Sequence, residues 1–195
     1  MKRFVMAAWL MTMSGAIGAE ASNLLRNGSF EQPAGTGDFN SARYWKYGDP
    51  DDNGDSFGSA SREAWRAKDG HYIGTVRGLW AGQGTHGGWW QDVAAAPATT
   101  YRLSGWFFCD VEWMAQVQEI KIEFWDATRT YLLASYATPI ANCDVDWEER
   151  IVEGMAPADA AWVRAVVHVS DIGATGALQV DDLALVIVQP DQAQP

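Results

Sequence analysis

Thr100-Tyr101-Arg102-Leu103-Ser104-Gly105-Trp106-Phe107-Phe108-Cys109 alternates along its length, with Tyr101, Leu103 and Phe107 on one side and Ser104, Trp106 and Phe108 on the other. Successive side chains of an extended chain point to opposite faces, so this period of two reads as a strand with two usable sides. Residues 118–125 repeat the arrangement, with Ile120, Ile122 and Phe124 opposing Lys121, Glu123 and Trp125. In 161–170, Val163, Val167 and Val169 oppose Trp162, Arg164 and His168. Three such strands predict an apolar side that packs into a core. Their second side carries Trp106, Trp125 and Trp162 among Ser104, Lys121, Glu123, Arg164 and His168.

Outward from these segments, short alternating or continuously apolar runs at 23–30, 43–47, 71–77, 88–93, 131–137, 147–153 and 176–188 complete a set of ten candidate strands. Gly, Pro, Asp and Asn separate them, and no long stretch places apolar residues at i, i+3, i+4 and i+7. The chain is therefore expected to be all-β, with two packed antiparallel sheets. Residues 38–61 and 78–88, rich in Gly with Asp and Ser, read as long loops, and 189–195 as a polar tail. No internal repeat is visible.

The length of 195 residues suits one domain with a sizeable core. With 48% apolar and 20% charged residues the composition is globular. Lys and Arg number 14 against 25 Asp and Glu, a net charge of −11 that would repel a phosphate backbone and argues against nucleic acid as a partner. Eleven Trp, six Tyr and seven Phe exceed what a core of this size requires, so some rings are expected to face outward.

Lys2 and Arg3 precede an apolar run from Phe4 to Met13, followed by small residues at Gly15, Gly18, Ala19 and Ala21. This is the pattern of a secretory signal peptide over 1–21, with cleavage after Ala21 or Ala19. The run is too short for a membrane span, which needs about twenty residues. The division expected is a leader at 1–21, a sandwich domain at 22–188 and the tail at 189–195, in a soluble protein that is secreted or periplasmic and does not insert into a membrane. An oxidising compartment makes the only two cysteines, Cys109 and Cys143, candidates for a disulfide.

A pyranose presents apolar C–H patches on its ring faces and hydroxyls around its rim. It is held by a flat aromatic platform flanked by donors and acceptors. Trp106, Trp125 and Trp162 with Glu123, Arg164 and His168 form the candidate ligand-binding set. Tyr44, Trp45, Tyr47, Trp65, Trp80, Trp89, Trp90 and Trp113 lie in or near loops. Adjacent Trp89 and Trp90 must point to opposite faces of a strand, one into the core and one out, and alternation alone does not say which.

Asn23-Leu24-Leu25-Arg26-Asn27-Gly28-Ser29-Phe30-Glu31 resembles the opening strand of CenC-like carbohydrate-binding modules, families four and nine and their relatives. Further landmarks follow in order: Trp45, Asp69-Gly70-His71-Tyr72, Gly88-Trp89-Trp90-Gln91-Asp92-Val93, Thr100 to Trp106, Trp147, Ala156-Pro157 and the closing Val180-Asp181-Asp182-Leu183-Ala184-Leu185. The resemblance implies a galactose-binding-like β-jelly roll whose concave face binds glycan. It also implies a structural calcium near the chain ends, with Glu31 and Asp181 supplying carboxylates to an oxygen-only shell and Asp182 the lesser candidate. Separately, Asp49, Asp51, Asn53 and Gly54 match the first half of an EF-hand loop, but Ala60 stands where a bidentate Glu is required. An acidic solvated loop is the better reading there.

Sugar hydrolysis needs a carboxylate pair across a cleft. Asp110, Glu112, Glu119 and Glu123 lie near the proposed face without a recognisable catalytic motif, and His71, His86 and His168 lack zinc-site spacing. The sequence thus points to an exported, non-catalytic binder of a polysaccharide or oligosaccharide. A surface or matrix protein making protein contacts through the same sandwich is the alternative, and a glycan hydrolase or lyase the lesser one.

Overall fold

The computed structural model describes residues 22–35, 38–47, 59–64, 66–77, 86–141 and 143–189. The expected leader, the acidic run at 49–55, Trp65, Trp80 and residues 190–195 of the tail lie outside them. Among the described residues there are twelve strands and no helix: β1 (Pro33–Gly35), β2 (Asp38–Ala42), β3 (Lys46–Tyr47), β4 (Ser59–Glu63), β5 (Ile73–Arg77), β6 (Gly87–Ala94), β7 (Thr100–Cys109), β8 (Ala115–Trp125), β9 (Leu132–Pro139), β10 (Glu148–Met155), β11 (Trp162–Ile172) and β12 (Ala177–Ile187). A first sheet runs β10-β7-β12-β5-β4 and a second β3-β6-β11-β8-β9, with β1 and β2 forming a small hairpin. Strands pair antiparallel throughout. The expected all-β sandwich of two antiparallel sheets is the architecture found.

Alternation decides which side of each strand enters the core. Leu103 and Phe107 of β7, Ile120, Ile122 and Phe124 of β8, Val163, Val167 and Val169 of β11, and Leu178, Val180 and Leu185 of β12 are all fully buried between the sheets. Each such side chain stabilises the fold by roughly 1.5–3 kcal/mol relative to exposure. Trp89 joins them with its indole N–H donated to Thr75 O at 3.1 Å, so Trp90 is the outward ring of the pair. The Cys109–Cys143 disulfide ties the end of β7 to the segment before β10, with Cα atoms 5.0 Å apart.

Two expectations need correction. Residues 23–30 form no strand, because Asn27 and Phe30 take positive φ values of 56° and 57° and bend the segment away from a ladder. It crosses instead over the register shift in β12. Leu24 N donates to Leu185 O at 2.8 Å, and the Asn23 side chain donates to Leu183 O and accepts from Leu185 N, each at 3.0 Å. A Cβ at Gly28 would stand 2.0 Å from Leu183 O, so the crossing requires a glycine. The opening and closing sequence motifs thus meet in space. Second, the expected loop region at 38–61 contains β2 and the start of β4, besides β3, which falls within the strand expected at 43–47. Asp38, Asn40 and Ala42 in β2 and Ala60 and Glu63 in β4 are residue types depleted in strands, so these segments carry little strand signal in the sequence.

Candidate ligand-binding face

The solvent side of the second sheet gathers the polar and aromatic residues that its strands turn away from the core. Across β11 and β8 the register places Trp162 opposite Trp125, Arg164 opposite Glu123, Val166 opposite Lys121 and His168 opposite Glu119. On the other side of β11, Asp92 of β6 stands opposite Arg164, and Trp90 opposite Val166. Five of the six residues expected from sequence, Trp125, Trp162, Glu123, Arg164 and His168, therefore share one face.

Trp106 does not join them. It alternates in β7 just as the other two alternate in their strands, but β7 belongs to the first sheet, where Trp106 lies opposite Asp181 and Glu149. Its ring has Lys68 Nζ 4.2 Å from its centroid, on the far side of the sandwich from Trp125 and Trp162.

The face is held by a ladder of ion pairs. Arg164 Nε donates to Asp92 Oδ1 at 2.7 Å and Nη2 to Oδ2 at 3.4 Å. Lys121 Nζ lies 2.9 Å from Glu123 Oε1 and 3.8 Å from Glu119 Oε1. Glu123 Oε2 accepts the Trp125 indole N–H at 3.0 Å, and the Arg164 guanidinium lies 4.8 Å from the centre of the same ring. Arg129, from the β8–β9 turn, stacks on Trp162 at 3.6 Å with its Nε 3.8 Å from Asp92. His168 Nδ1 and Glu119 Oε1 share a hydrogen bond of 3.1 Å, and the His86 ring lies 6.4 Å from that of His168.

Burial separates two kinds of residue on this face. Glu123 and Arg164 are 2% and 7% exposed with their polar atoms engaged by protein partners, so they orient the sheet surface and fix the Trp125 ring. Trp90, Trp125, Trp162 and His168 are only partly buried and present the accessible surface. Trp90 and Asp92 share this side with β11's polar residues, a placement legible in the alternation of β6 once Trp89 is known to point inward. Arg129 carries no such signal, because it reaches the face from a turn.

The acids expected near the chain ends sit on the other side of the sandwich, around the loop before β5. Asp181 is fully buried; its Oδ2 accepts Lys68 N at 3.0 Å and Asp69 N at 3.2 Å, and its Oδ1 accepts Asp182 N at 2.8 Å. Burial pushes its pKa up to about 6 against the opposing pull of those amides. Glu31 Oε1 accepts His71 N at 2.8 Å and Tyr72 N at 2.9 Å, and Lys68 Nζ stands 3.4 Å from Asp182 Oδ2. Both carboxylates therefore grip one loop. The second oxygen of Glu31 and one lone pair of Asp181 Oδ1 are not used by these amides, and both are hard oxygen donors of the kind calcium takes.

No protein-family model matches the chain, and no curated protein matches it. Solved structures share its architecture. A family 16 carbohydrate-binding module is 21% identical with a TM-score of 0.57, over 84% of this chain and 99% of that one. A family 61 carbohydrate-binding module, solved with β-1,4-galactotriose, is 17% identical with a TM-score of 0.55, over 86% and 100%. The enzymatically active domain of tailspike protein 4 from bacteriophage CBA120 is 16% identical with a TM-score of 0.60, and this chain, matched over 85% of its length, spans 21% of it. The fold shared with them is a two-sheet antiparallel β-sandwich, which occurs in carbohydrate-binding modules and in an enzymatically active domain alike.

Proposed function

We propose that the protein is an exported, non-catalytic carbohydrate-binding module, related to the CenC-like families, that holds a glycan chain on the solvent side of the second sheet. The observation that carries the reading is the cross-strand pair Trp162–Trp125 set directly beside the pair Arg164–Glu123 on a face turned away from the core. Trp125, Trp162 and Trp90 supply apolar surface for sugar rings. His168, Glu119 and Lys121 supply rim hydrogen bonds, while Glu123 and Arg164 act as positioning residues. The carboxylates Asp92, Glu119 and Glu123 are balanced by Arg164, Arg129 and Lys121, so the face offers hydrogen-bonding groups with little net field. That favours an uncharged glycan.

The test is affinity electrophoresis of the mature protein on gels containing cellulose derivatives, xylan, β-glucans, mannan, galactan or alginate. Variants Trp125→Ala, Trp162→Ala and Trp106→Ala are run beside it. Retardation on one glycan, lost in the first two and kept in the third, is the expected result. Retardation lost only with Trp106→Ala would move the site to the first sheet, and no retardation on any gel favours a protein-contact role. Sugar release from the same panel would refute the non-catalytic reading.

We further propose a structural calcium at Glu31 and Asp181, whose unused oxygens would share it with backbone carbonyls of the 68–71 loop. Bound there, the ion would neutralise a fully buried carboxylate and pin the loop to both chain ends. A melting temperature raised by calcium and lowered by chelator, with the response lost in Glu31→Gln, supports it; a melting temperature indifferent to both refutes it.

A further inference from the structure

Asp126-Ala127-Thr128-Arg129-Thr130-Tyr131 turns the chain from β8 into β9, and the Asp126 carboxylate ties the turn together. Its Oδ1 accepts Thr130 N at 2.8 Å and Tyr131 N at 3.1 Å, and its Oδ2 accepts the Thr128 hydroxyl at 2.5 Å. Arg129 N donates to Asp126 O at 3.1 Å. These bonds hold Arg129 at a φ of 58°, a left-handed conformation uncommon for any residue but glycine. Backbone strain that surrounding bonds hold in place concentrates at functional sites. Here it aims Arg129 back over the solvent side of the second sheet.

The guanidinium is stacked but not hydrogen-bonded. Its carbon lies 3.6 Å from the centre of the Trp162 ring. Its one ion pair among the described residues is to Asp92, where Nε is 3.8 Å from Oδ2, beyond hydrogen-bond distance, and Asp92 is already held by Arg164 at 2.7 Å. Among the described residues no acceptor takes an Arg129 side-chain N–H, although the side chain is only 38% exposed. The indole therefore fixes the plane of the cation while its N–H groups stay available. Trp125 stands directly opposite Trp162 on the neighbouring strand, and the nearest cation over its ring, Arg164, is farther off at 4.8 Å. Opposed side chains are close enough that a sugar lying on Trp125 would present its rim to Arg129.

We infer that Arg129 is a specificity-determining contact of the glycan site, donating two parallel N–H groups to a pair of adjacent hydroxyls on a sugar stacked against Trp125. The inference rests on the reading of this face as the glycan-binding one. A guanidinium edge fits two neighbouring oxygen acceptors, a geometry that an ammonium lacks. In a 1,4-linked pyranose chain each internal residue keeps the hydroxyls of its second and third carbons, which are neighbours. A 1,3-linked chain keeps those of the second and fourth, which are not, and chitin carries an acetamido group on the second carbon. A uronate carboxylate would suit the same fork but would stand beside Asp92, whose like charge opposes it. The class selected is an uncharged 1,4-linked glycan with unsubstituted ring hydroxyls.

Isothermal titration calorimetry of the full mature chain tests this with cellohexaose, xylohexaose, mannohexaose, laminarihexaose, chitohexaose and hexagalacturonate. Near-ultraviolet circular dichroism shows that each variant is folded. At least one of the first three probes is expected to bind more tightly than all of the last three. Arg129→Ala and Arg129→Lys should each weaken that binding about tenfold, the loss of one charge-assisted hydrogen bond, because Lys keeps the charge without the fork. Asp126→Ala should weaken it too, with no further effect when added to Arg129→Ala, since Asp126 acts only by positioning the arginine. Binding lost in Trp125→Ala but unchanged in Arg129→Ala or Arg129→Lys leaves the face in place and overturns the role of Arg129. A wild type that prefers the 1,3-linked, acetamido or acidic probe overturns it as well, and one that binds none of the six overturns both readings.

Discussion

Replacing Arg164 by Gln removes the central cation of the face while keeping much of its bulk, and the structure sets the size of the effect. Arg164 and Asp92 have side chains only 9% exposed and are joined through Nε at 2.7 Å. Breaking a buried pair by deleting one partner costs about 3–5 kcal/mol, because the other charge is left without compensation. Asp92 would retain Arg129, but that contact is 3.8 Å long and Arg129 is 38% exposed, so it offsets at most about 1 kcal/mol. Glu123 keeps Lys121 at 2.9 Å. The expected loss is therefore near the lower end, about 3 kcal/mol, which at a slope of about 2 kcal/mol per molar urea lowers the unfolding midpoint by about 1.5 M. Asp92→Asn with Arg164→Gln removes both charges and should cost less than the two single changes together, by about 2 kcal/mol. A midpoint shift below about 0.3 M for Arg164→Gln, or strict additivity in the double variant, would contradict the buried-pair account.

Three other outcomes are expected. Converting both cysteines to Ser opens a loop with a sequence separation of 34, worth about 4 kcal/mol in the chain-entropy model, and calorimetry should show the melting temperature falling by roughly 10 °C; an unchanged temperature would mean the bridge constrains nothing the fold does not already hold. Gly70 has φ +66° and would carry a Cβ 2.4 Å from Glu31 Oε1, so Gly70→Ala should lower stability by about 2 kcal/mol by urea titration, whereas Gly35→Ala, with nothing within 4 Å, should be near neutral. The Asp126 carboxyl is lowered to about 2, first by the Thr128 hydroxyl and then by backbone amides of the β8–β9 turn. A depressed carboxylate stabilises above its unfolded value and loses that contribution as pH falls through the folded one, so amide resonances of Thr128, Thr130 and Tyr131 should titrate together near pH 2; a midpoint near 4 would rule the anchoring out.

Most of the strand pattern was legible because alternation is a local property. β7 was read to the residue, and β8, β11 and β12 to within a few residues at each end. The segment 23–30 was misread because its apolar residues occur in a run compatible with a strand, while its bends depend on Asn27 and Phe30 taking positive φ against β12. Trp89 and Trp90 could not be told apart until β6 was placed between β11 and β3. The roles of Glu123 and Arg164 also changed, since ion pairing to Lys121 and Asp92 across strands is invisible along any one of them.

By itself the sequence determined that the chain is all-β, which side chains of each strand share a side, and that its cysteines could pair. Only the tertiary structure decided which strands belong to which sheet. Trp106, Trp125 and Trp162 carry the same local signal, yet β7 pairs with β10 and β12 whereas β8 and β11 pair with each other. Those pairings join residues far apart in the chain through backbone hydrogen bonds common to every residue type, so the side-chain pattern that marks a strand leaves its neighbours undetermined.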